Sequence, residues 1–389
     1  MIEVLEFLCA DLEHLVVNAG LIDTVAEAFA DEIHVYCEAR HGAHLRQVLG
    51  DRHRDRIRWL DAAIPQRRAG IAARLPREYG LLRRAAAGQG KPRLRLLLSA
   101  HRSLLWALAL RRVFGRDRIP TQVVLHGEVG EVAGWRSRNP LRRLFDMRST
   151  LARCSALGTQ YLVLEHAIAE ALRAEMPRIA PGVAAIPYPL TVSVLGDASL
   201  PAVNSAIRIA FLGLATEAKG FGVFLEVAER MARACPGRFE FHAVGSTPPG
   251  SASTGLHVLA RRPAAAQLSQ ADFLAGLRGI HYVCLPFRGS HYDFAASGAL
   301  LDAVANLRPV IALPTPVLNR MFETHRIGYL CQSADEIVAV LRQLAADFPT
   351  QAYSAQVAAM IALRNDRRPR ALAGPYRELT ERLLHAAPS

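Results

Sequence analysis

The stretch from residue 281 to residue 313 constrains the fold most, because it is patterned in turn as strand, loop, helix and strand. Residues 282–286 form a short apolar run that ends at proline, which predicts a buried parallel strand. Residues 287–294 are polar and predict a loop, and residues 295–306 are rich in alanine and leucine and predict a helix. Residues 310–313 predict a second apolar strand. This order is typical of a parallel α/β sheet.

The same alternation of apolar strands and helices runs from residue 4 to residue 187 and starts again at residue 207. Ligands of such sheets bind beyond the carboxyl ends of the strands, where a loop leads into the next helix. Ser297 and Gly298 fall in the first turn of the helix predicted at 295–306. Free N–H groups and the helix dipole favour an anion there, such as a diphosphate, although Ser297 would serve equally as an ordinary N-cap.

The 281–313 stretch resembles the donor-binding segment of retaining GT-B glycosyltransferases, which contains the frame Glu-Ala-x-Ala-x-Gly-x-Pro-Val. Here the frame is Asp302-Ala-Val-Ala-Asn-Leu-Arg-Pro-Val. The resemblance implies that Asp302 takes the role of the family's glutamate and accepts hydrogen bonds from a ribose diol. It also implies that Ser297 and Gly298 bind the donor phosphates.

Two positions of this stretch depart from the family pattern. Phe294 stands where the family has its first glutamate, and Leu307 stands where it has a glycine. Asp293, next to Phe294, is a candidate to replace that glutamate at the sugar, and Tyr292 and His291 are candidates to line the sugar pocket. The chain is therefore interpreted as a divergent member of the family.

A second segment resembles the family's Gly-Arg-x-x-x-x-Lys-Gly pattern, in which arginine and lysine hold the donor diphosphate. Gly213 and Lys219 match it, whereas Leu214 replaces the arginine. A cation beside a leaving diphosphate stabilises the charge that develops there, so Lys219 is a candidate catalytic residue. Arg288 is the candidate for the missing second cation. The alternative is that Lys219 is a solvated lysine in the first turn of a helix.

In the first half of the chain, Gly20 is predicted to lie in a loop after the first strand, where GT-B enzymes bring a glycine close to the donor. His126 follows the strand predicted at 121–125, a position from which the family points a histidine at the reacting sugar. The alternative for His126 is a packed histidine at a strand end. Glu128 and Glu131 are candidate acceptor-site bases, or exposed acids of the loop.

The expected architecture is the GT-B fold, with two Rossmann-like parallel-sheet domains that face each other across a cleft. An acceptor-binding domain is predicted over residues 1–190, a linker over 191–205 and a donor-binding domain over 206–370. Residues 371–389 are predicted to form a C-terminal helix that crosses back to the first domain. A length of 389 residues and an apolar content of 51% suffice for two such domains.

The implied activity is metal-independent transfer of a hexose from a UDP- or GDP-sugar to an acceptor hydroxyl, with retention and with no cofactor. Bacterial surface polysaccharide or a lipid-linked saccharide is the expected acceptor. Two alternatives stay open, namely a sugar-nucleotide epimerase or hydrolase of the same shape and a binding or scaffold protein without activity. The lack of a Gly-x-Gly-x-x-Gly after the first strand argues against a Rossmann dehydrogenase.

The net charge of +12 is concentrated in residues 40–160, which hold about 26 Lys and Arg against about 8 Asp and Glu. Such a field suits an anionic membrane surface, and the apolar and basic segment 103–114 supports that interpretation. The alternative is a solvated basic face. No nucleic-acid motif is present. Scattered cysteines, an acidic start and the lack of a membrane-spanning stretch predict a cytoplasmic protein, with a peripheral position on the membrane's inner face as one interpretation.

Overall fold

The structure is a computed structural model in which the chain forms two compact units. It describes residues 1–66, 68–86, 90–115, 117–126, 129–133, 139, 143–191, 206–248, 255–287, 292 and 294–386. The first unit comprises Met1–Val194 and Arg367–Ser389, and the second comprises Leu195–Asp366. Of the predicted linker at 191–205, only Thr191 lies within the described residues.

Within its described residues, the first unit contains a sheet of seven parallel strands in the order β3-β2-β1-β4-β5-β6-β7. The strands are β1 (Ile2–Leu5), β2 (Ile33–Cys37), β3 (Ile57–Asp61), β4 (Leu94–Leu97), β5 (Thr121–Leu125), β6 (Thr159–Leu164) and β7 (Val183–Ile186). The helices between them are α1 (Leu15–Ala28), α2 (Ala39–Leu49), α3 (Ile71–Ala86), α4 (Arg102–Phe114), α5 (Gly130–Ala133), α6 (Met147–Ala156) and α7 (His166–Glu175). The central strands β1 and β4 are buried throughout, as expected of a sheet covered on both faces.

The second unit contains, in the part that the structure describes, five parallel strands in the order β12-β11-β10-β8-β9. They are β8 (Ile207–Leu212), β9 (Phe239–Val244), β10 (Tyr282–Leu285), β11 (Val310–Ala312) and β12 (Gly328–Leu330). Its helices are α8 (Phe221–Ala234), α9 (Gln270–Leu277), α10 (Gly298–Ala305), α11 (Pro316–Thr324), α12 (Ala334–Ala346) and α13 (Thr350–Asp366). The two predicted strands and the helix of the 281–313 stretch are therefore confirmed as β10, β11 and α10, and most of the predicted loop lies outside the described residues.

The last helix, α14 (Pro369–Ala386), returns to the first unit, as predicted. The Tyr376 hydroxyl donates a hydrogen bond to the side chain of Gln122 on β5 at 2.8 Å, and the tyrosine is almost fully buried. Arg377 donates to the carbonyl of Ala28 at the end of α1, at 2.6 Å. These contacts make α14 a part of the first unit's core.

Two elements begin or end differently from the sequence prediction. The apolar run of residues 4–9 predicts a first strand that ends at residue 9. β1 instead ends at Leu5, because the Glu6 carboxylate accepts hydrogen bonds from the N–H groups of Leu8 and Cys9 and turns the chain there. α10 begins at Gly298 rather than at residue 295, because the Ser297 hydroxyl accepts from the Leu300 N–H at 3.3 Å and caps the helix.

Part of the arginine excess of the first unit is internal. Arg95 is fully buried and bridges the carboxylates of Glu3 and Asp117, each at 2.8 Å. All six cysteines are unpaired, and five of them are buried. Within the described residues, no helix is both long enough and apolar enough to cross a membrane.

Candidate functional site

The two segments that carry the sequence motifs meet at the carboxyl ends of β8 and β10. Gly220 adopts the left-handed conformation with φ 76°, and a Cβ atom there would lie 1.6 Å from the Pro286 carbonyl oxygen. Only glycine fits such a close backbone approach. The Lys219-Gly220 turn therefore lies directly against the residue that follows β10.

The Lys219 ammonium lies over the glycine that ends β8. Gly213 has φ 89°, and a Cβ atom there would lie 3.0 Å from Lys219 Nζ. Gly245, which follows β9, is also close to Gly213, because a Cβ atom on Gly245 would lie 1.9 Å from the Gly213 carbonyl oxygen. Gly213 and Gly245, which follow β8 and β9, thus allow the loops after these two strands to pack closely, and the Lys219 ammonium lies next to Gly213.

Asp302 on α10 is the acidic group whose charge acts on Lys219. Burial lowers the pKa of Lys219, and the Asp302 charge opposes that effect. Burial raises the pKa of Asp302 to about 7, although Lys219 lowers it and the side chain keeps some exposure to solvent. No ion pair within 4.0 Å joins these two described residues. The two opposite charges therefore face the same region without neutralising each other directly.

The start of α10 faces the same region as Asp302. Ser297 is 6% exposed and caps the helix, so the structure supports the N-cap interpretation for its hydroxyl. Among the described residues, nothing lies within 4 Å of the position where a Cβ atom on Gly298 would be, and Gly298 itself is exposed. Asp302 follows Gly298 by four residues and thus lies on the same helix face. The first N–H groups of a helix have no partner within it, which makes this end suitable for an anion.

Leu307 explains how the family frame survives without its glycine. The residue has φ 54°, in the left-handed region, although it is not glycine. Its N–H bonds the Val304 carbonyl and the Arg308 N–H bonds the Ala303 carbonyl, which is the Schellman arrangement at the end of a helix. The backbone thus keeps the conformation that glycine favours, and β11 starts in the expected place.

Several predicted residues of the central loop lie outside the described residues, namely Arg288, His291 and Asp293. Tyr292 is described, and its ring stacks on Phe287 with the ring centres 4.0 Å apart. Only 5% of Tyr292 is exposed, and burial raises its pKa to about 12. The Tyr292 ring is therefore largely covered and offers little surface to a ligand. Leu214, in the place of the family's arginine, is 42% exposed.

His126 lies in the first unit directly after β5, at the predicted position. Its Nε2 donates a hydrogen bond to the Leu98 carbonyl after β4, at 2.8 Å, and its ring meets the His14 ring edge-on at 4.9 Å. Burial lowers the pKa of His126, against the opposing charge of Glu6. The imidazole is therefore neutral at pH 7 and carries its proton on Nε2. Glu128 lies outside the described residues, and only the backbone of Glu131 is described, in α5.

The predicted position of Gly20 in a loop is wrong. Gly20 lies inside α1 and is buried, and a Cβ atom there would lie 2.8 Å from the Pro189 carbonyl oxygen. The glycine therefore allows a helix to pack against the chain that follows β7, and it does not belong to a glycine-containing loop.

Glu6 organises the loop that follows β1, and the sequence analysis missed it. Its fully buried carboxylate accepts hydrogen bonds from the Leu8 and Cys9 N–H groups, from the Ser99 hydroxyl and from the Asn18 amide. The available signal was an acidic residue directly after a short apolar strand. With His126, this places a polar cluster at the carboxyl ends of β1, β4 and β5.

One group of possible metal ligands exists among the described residues, namely Asp23, Glu27 and His53. Its geometry does not suit a metal. Arg56 donates to His53 Nδ1 at 3.0 Å, which leaves the proton of a neutral imidazole on Nε2, where it donates to Asp23 at 2.9 Å. Arg52 pairs with the other Asp23 oxygen at 2.7 Å. Arg52 already compensates the Asp23 carboxylate, and Arg56 occupies the other nitrogen of His53, so this cluster is structural.

The two parallel-sheet Rossmann-like units and the C-terminal helix that returns to the first of them define the GT-B fold of glycosyltransferases. Solved structures of that fold match the whole chain. HepE from Anabaena, in complex with UDP and glucose, shares 13% identity over 99% of each chain, with a TM-score of 0.64. Sucrose-phosphate synthase from Thermosynechococcus elongatus shares 15% identity over 99% of this chain and 100% of that chain, with a TM-score of 0.65. A glycosyltransferase from Rickettsia africae shares 12% identity over 99% of each chain, with a TM-score of 0.67.

At such identities the likeness shows a shared fold. No protein-family profile matches the chain, and no curated protein sequence matches it significantly.

Proposed function

We propose that the protein transfers a sugar from a nucleoside-diphosphate sugar to an acceptor hydroxyl. The observation that carries the proposal is the arrangement at the ends of β8 and β10. There the Lys219-Gly220 turn packs on Pro286, Lys219 Nζ lies over Gly213, and Asp302 faces the lysine from α10. These groups suit an anionic diphosphate at one end and a diol at the other.

In this proposal Lys219 and the first turn of α10 stabilise the diphosphate as it leaves the sugar. A half-buried ammonium acts more strongly on a developing negative charge than a fully solvated one, because less water screens it. Asp302 accepts hydrogen bonds from the ribose hydroxyls, and those bonds favour its ionised form against the burial that raises its pKa. Binding of the nucleotide is thereby coupled to loss of a proton from Asp302.

His126 is proposed to contact the donor sugar, and the support for this role is the resemblance together with its position directly after β5. The resemblance supports Asp293 at the sugar, Arg288 at the diphosphate, retention of configuration and hexose transfer without a metal. The HepE complex with UDP supports a uridine donor. A surface polysaccharide or lipid-linked saccharide is the proposed acceptor, and the basic first unit supports a cytoplasmic, membrane-peripheral location.

The experiment is a thermal-shift series with UDP, GDP, ADP and their common sugar conjugates, repeated with Lys219→Ala. The sequence contains one other lysine, Lys91, which is exposed, so Lys91→Ala is a matched control. A nucleotide at 100 times its Kd stabilises the folded state by about 2.7 kcal/mol. We expect a shift with one diphosphate that persists in Lys91→Ala and disappears in Lys219→Ala.

A scaffold protein without activity is the second candidate, because Leu214 replaces a cation of the family pattern and is 42% exposed. The absence of a shift with every nucleotide would reject the transferase proposal in its favour. Turnover of a nucleotide-sugar at the same rate with and without any acceptor would indicate the hydrolase or epimerase alternative instead.

A further inference from the structure

The outer face of α4 carries an apolar stripe that the first unit does not cover. Trp106 and Leu110 are partly exposed on this helix, and Val113 and Phe114 are 57% and 76% exposed. A spacing of four, then three or four, residues places these side chains on one side of a helix. The stripe from Trp106 to Phe114 is about 12 Å long at 1.5 Å per residue.

The segment before α6 widens the stripe. Leu144 and Phe145 are both exposed, and the Phe145 ring packs on Trp106 with the ring centres 4.8 Å apart. The Arg153 guanidinium also lies over Trp106, 4.0 Å from the centre of its ring. The result is an apolar patch with an aromatic centre and an arginine at its edge.

The neighbouring helix α3 makes the surroundings of the patch basic. α3 packs against α4 and exposes Arg77, Arg83 and Arg84. Its one acidic residue, Glu78, is fully buried and pairs with the buried Arg74 at 2.6 Å. α4 has no acidic residue. Across these two helices, which the structure describes in full, every exposed charge is positive.

We propose that the face formed by α3, α4 and residues 143–153 docks on a membrane surface of anionic phospholipid. Tryptophan and phenylalanine with adjacent arginines suit the boundary between acyl chains and headgroups, and basic side chains gain from anionic headgroups. A second copy of the chain fits this face poorly, because a symmetric contact would bring one set of arginines against the other. This proposal rests on the membrane-peripheral location in the proposed function and assigns it to one face, and it does not depend on the chemistry proposed for the second unit.

The test is flotation of the full-length protein with vesicles of phosphatidylcholine alone and with vesicles that contain phosphatidylglycerol, at low and at high salt. Arg83→Glu with Arg84→Glu is compared with Arg233→Glu and Arg342→Glu, which change the same charge on exposed arginines of the second unit. Val113→Ser with Phe114→Ser is compared with Leu214→Ser, which replaces an exposed apolar side chain of the second unit. All replaced side chains are exposed, so circular dichroism should report folded variants.

We expect binding to the anionic vesicles that weakens with salt and is absent with phosphatidylcholine alone. Each basic residue near an anionic surface contributes roughly fivefold, so the Arg83 and Arg84 reversals should weaken binding by more than about 25-fold. The serine pair should weaken it at least about tenfold. No binding to anionic vesicles at low salt would overturn the proposal, as would equal losses in the second-unit controls. So would a dimer in light scattering that Val113→Ser with Phe114→Ser converts to a monomer.

Discussion

Replacing Asp302 with asparagine should stabilise the second unit at alkaline pH while it weakens nucleotide binding. Asparagine has the shape of the protonated acid and no charge. The folded pKa of Asp302 is raised from 3.8 to about 7. Between these values the folded state binds the proton and the unfolded state does not, so the free energy of unfolding falls as the pH rises. The asparagine variant lacks that fall.

The size of the effect follows from the shift. About three pKa units correspond to about 4 kcal/mol, at about 1.36 kcal/mol per unit. The attraction between Asp302 and Lys219 is already contained in this shift, because Lys219 is one of the causes that set the folded pKa. We therefore expect equal stability near pH 4, and near pH 8 an advantage of about 4 kcal/mol for Asp302→Asn.

Hydrogen exchange of α10 against pH measures this locally in the second unit. Asp347→Asn is the matched control, because Asp347 is an exposed aspartate of the same unit. It should follow the wild type at every pH. In parallel, Asp302→Asn should bind the nucleotide more weakly. The reasoning is refuted if α10 of Asp302→Asn exchanges faster than that of the wild type at pH 8, or if the difference between them does not change from pH 4 to pH 8.

Three further substitutions test residues that set the shape of the backbone at the candidate sites, either through their own conformation or through side-chain hydrogen bonds. Gly220→Ala would place a Cβ atom 1.6 Å from the Pro286 carbonyl and should abolish nucleotide binding, whereas Gly374→Ala, with open space around it, should raise the melting temperature slightly. Leu307→Gly relieves about 1 kcal/mol of left-handed strain but removes a buried leucine worth about 3 kcal/mol, so urea unfolding should show a net loss; a gain would contradict this balance. Glu6→Ala leaves buried donors without an acceptor, so it should cost about 3 kcal/mol and speed proteolysis after β1, and an unchanged digestion rate would count against it.

The sequence could predict the elements of the second unit because each has a local signal. β10 and α10 differ in hydrophobic period and in composition. The Lys219-Gly220 and Pro309-Val310 pairs align these elements with the motifs of the family that the chain resembles. Gly20 could not be assigned in this way, because its reason for being glycine is Pro189, which lies 169 residues away and makes no local pattern. The role of Glu6 at the end of β1 could not be predicted from the sequence for a different reason. The apolar residues after it extend the strand pattern, and only its buried hydrogen bonds show that the strand has ended.

The separation of Lys219 and Asp302 favours a ligand over a purely structural role for the pair. A structural pair in a buried place gains most from direct contact, as Arg95 does with Glu3 and Asp117 at 2.8 Å. Lys219 and Asp302 make no such contact, and burial disfavours the charge of each. A guest with an anionic end and a hydroxyl-bearing end relieves both costs at once, since the diphosphate compensates the ammonium and the diol hydrogen-bonds the carboxylate. Under the proposed function we therefore expect the arrangement to prefer a nucleotide, which joins the two chemistries, and free phosphate alone to bind more weakly than UDP by more than the loss of one ionic contact.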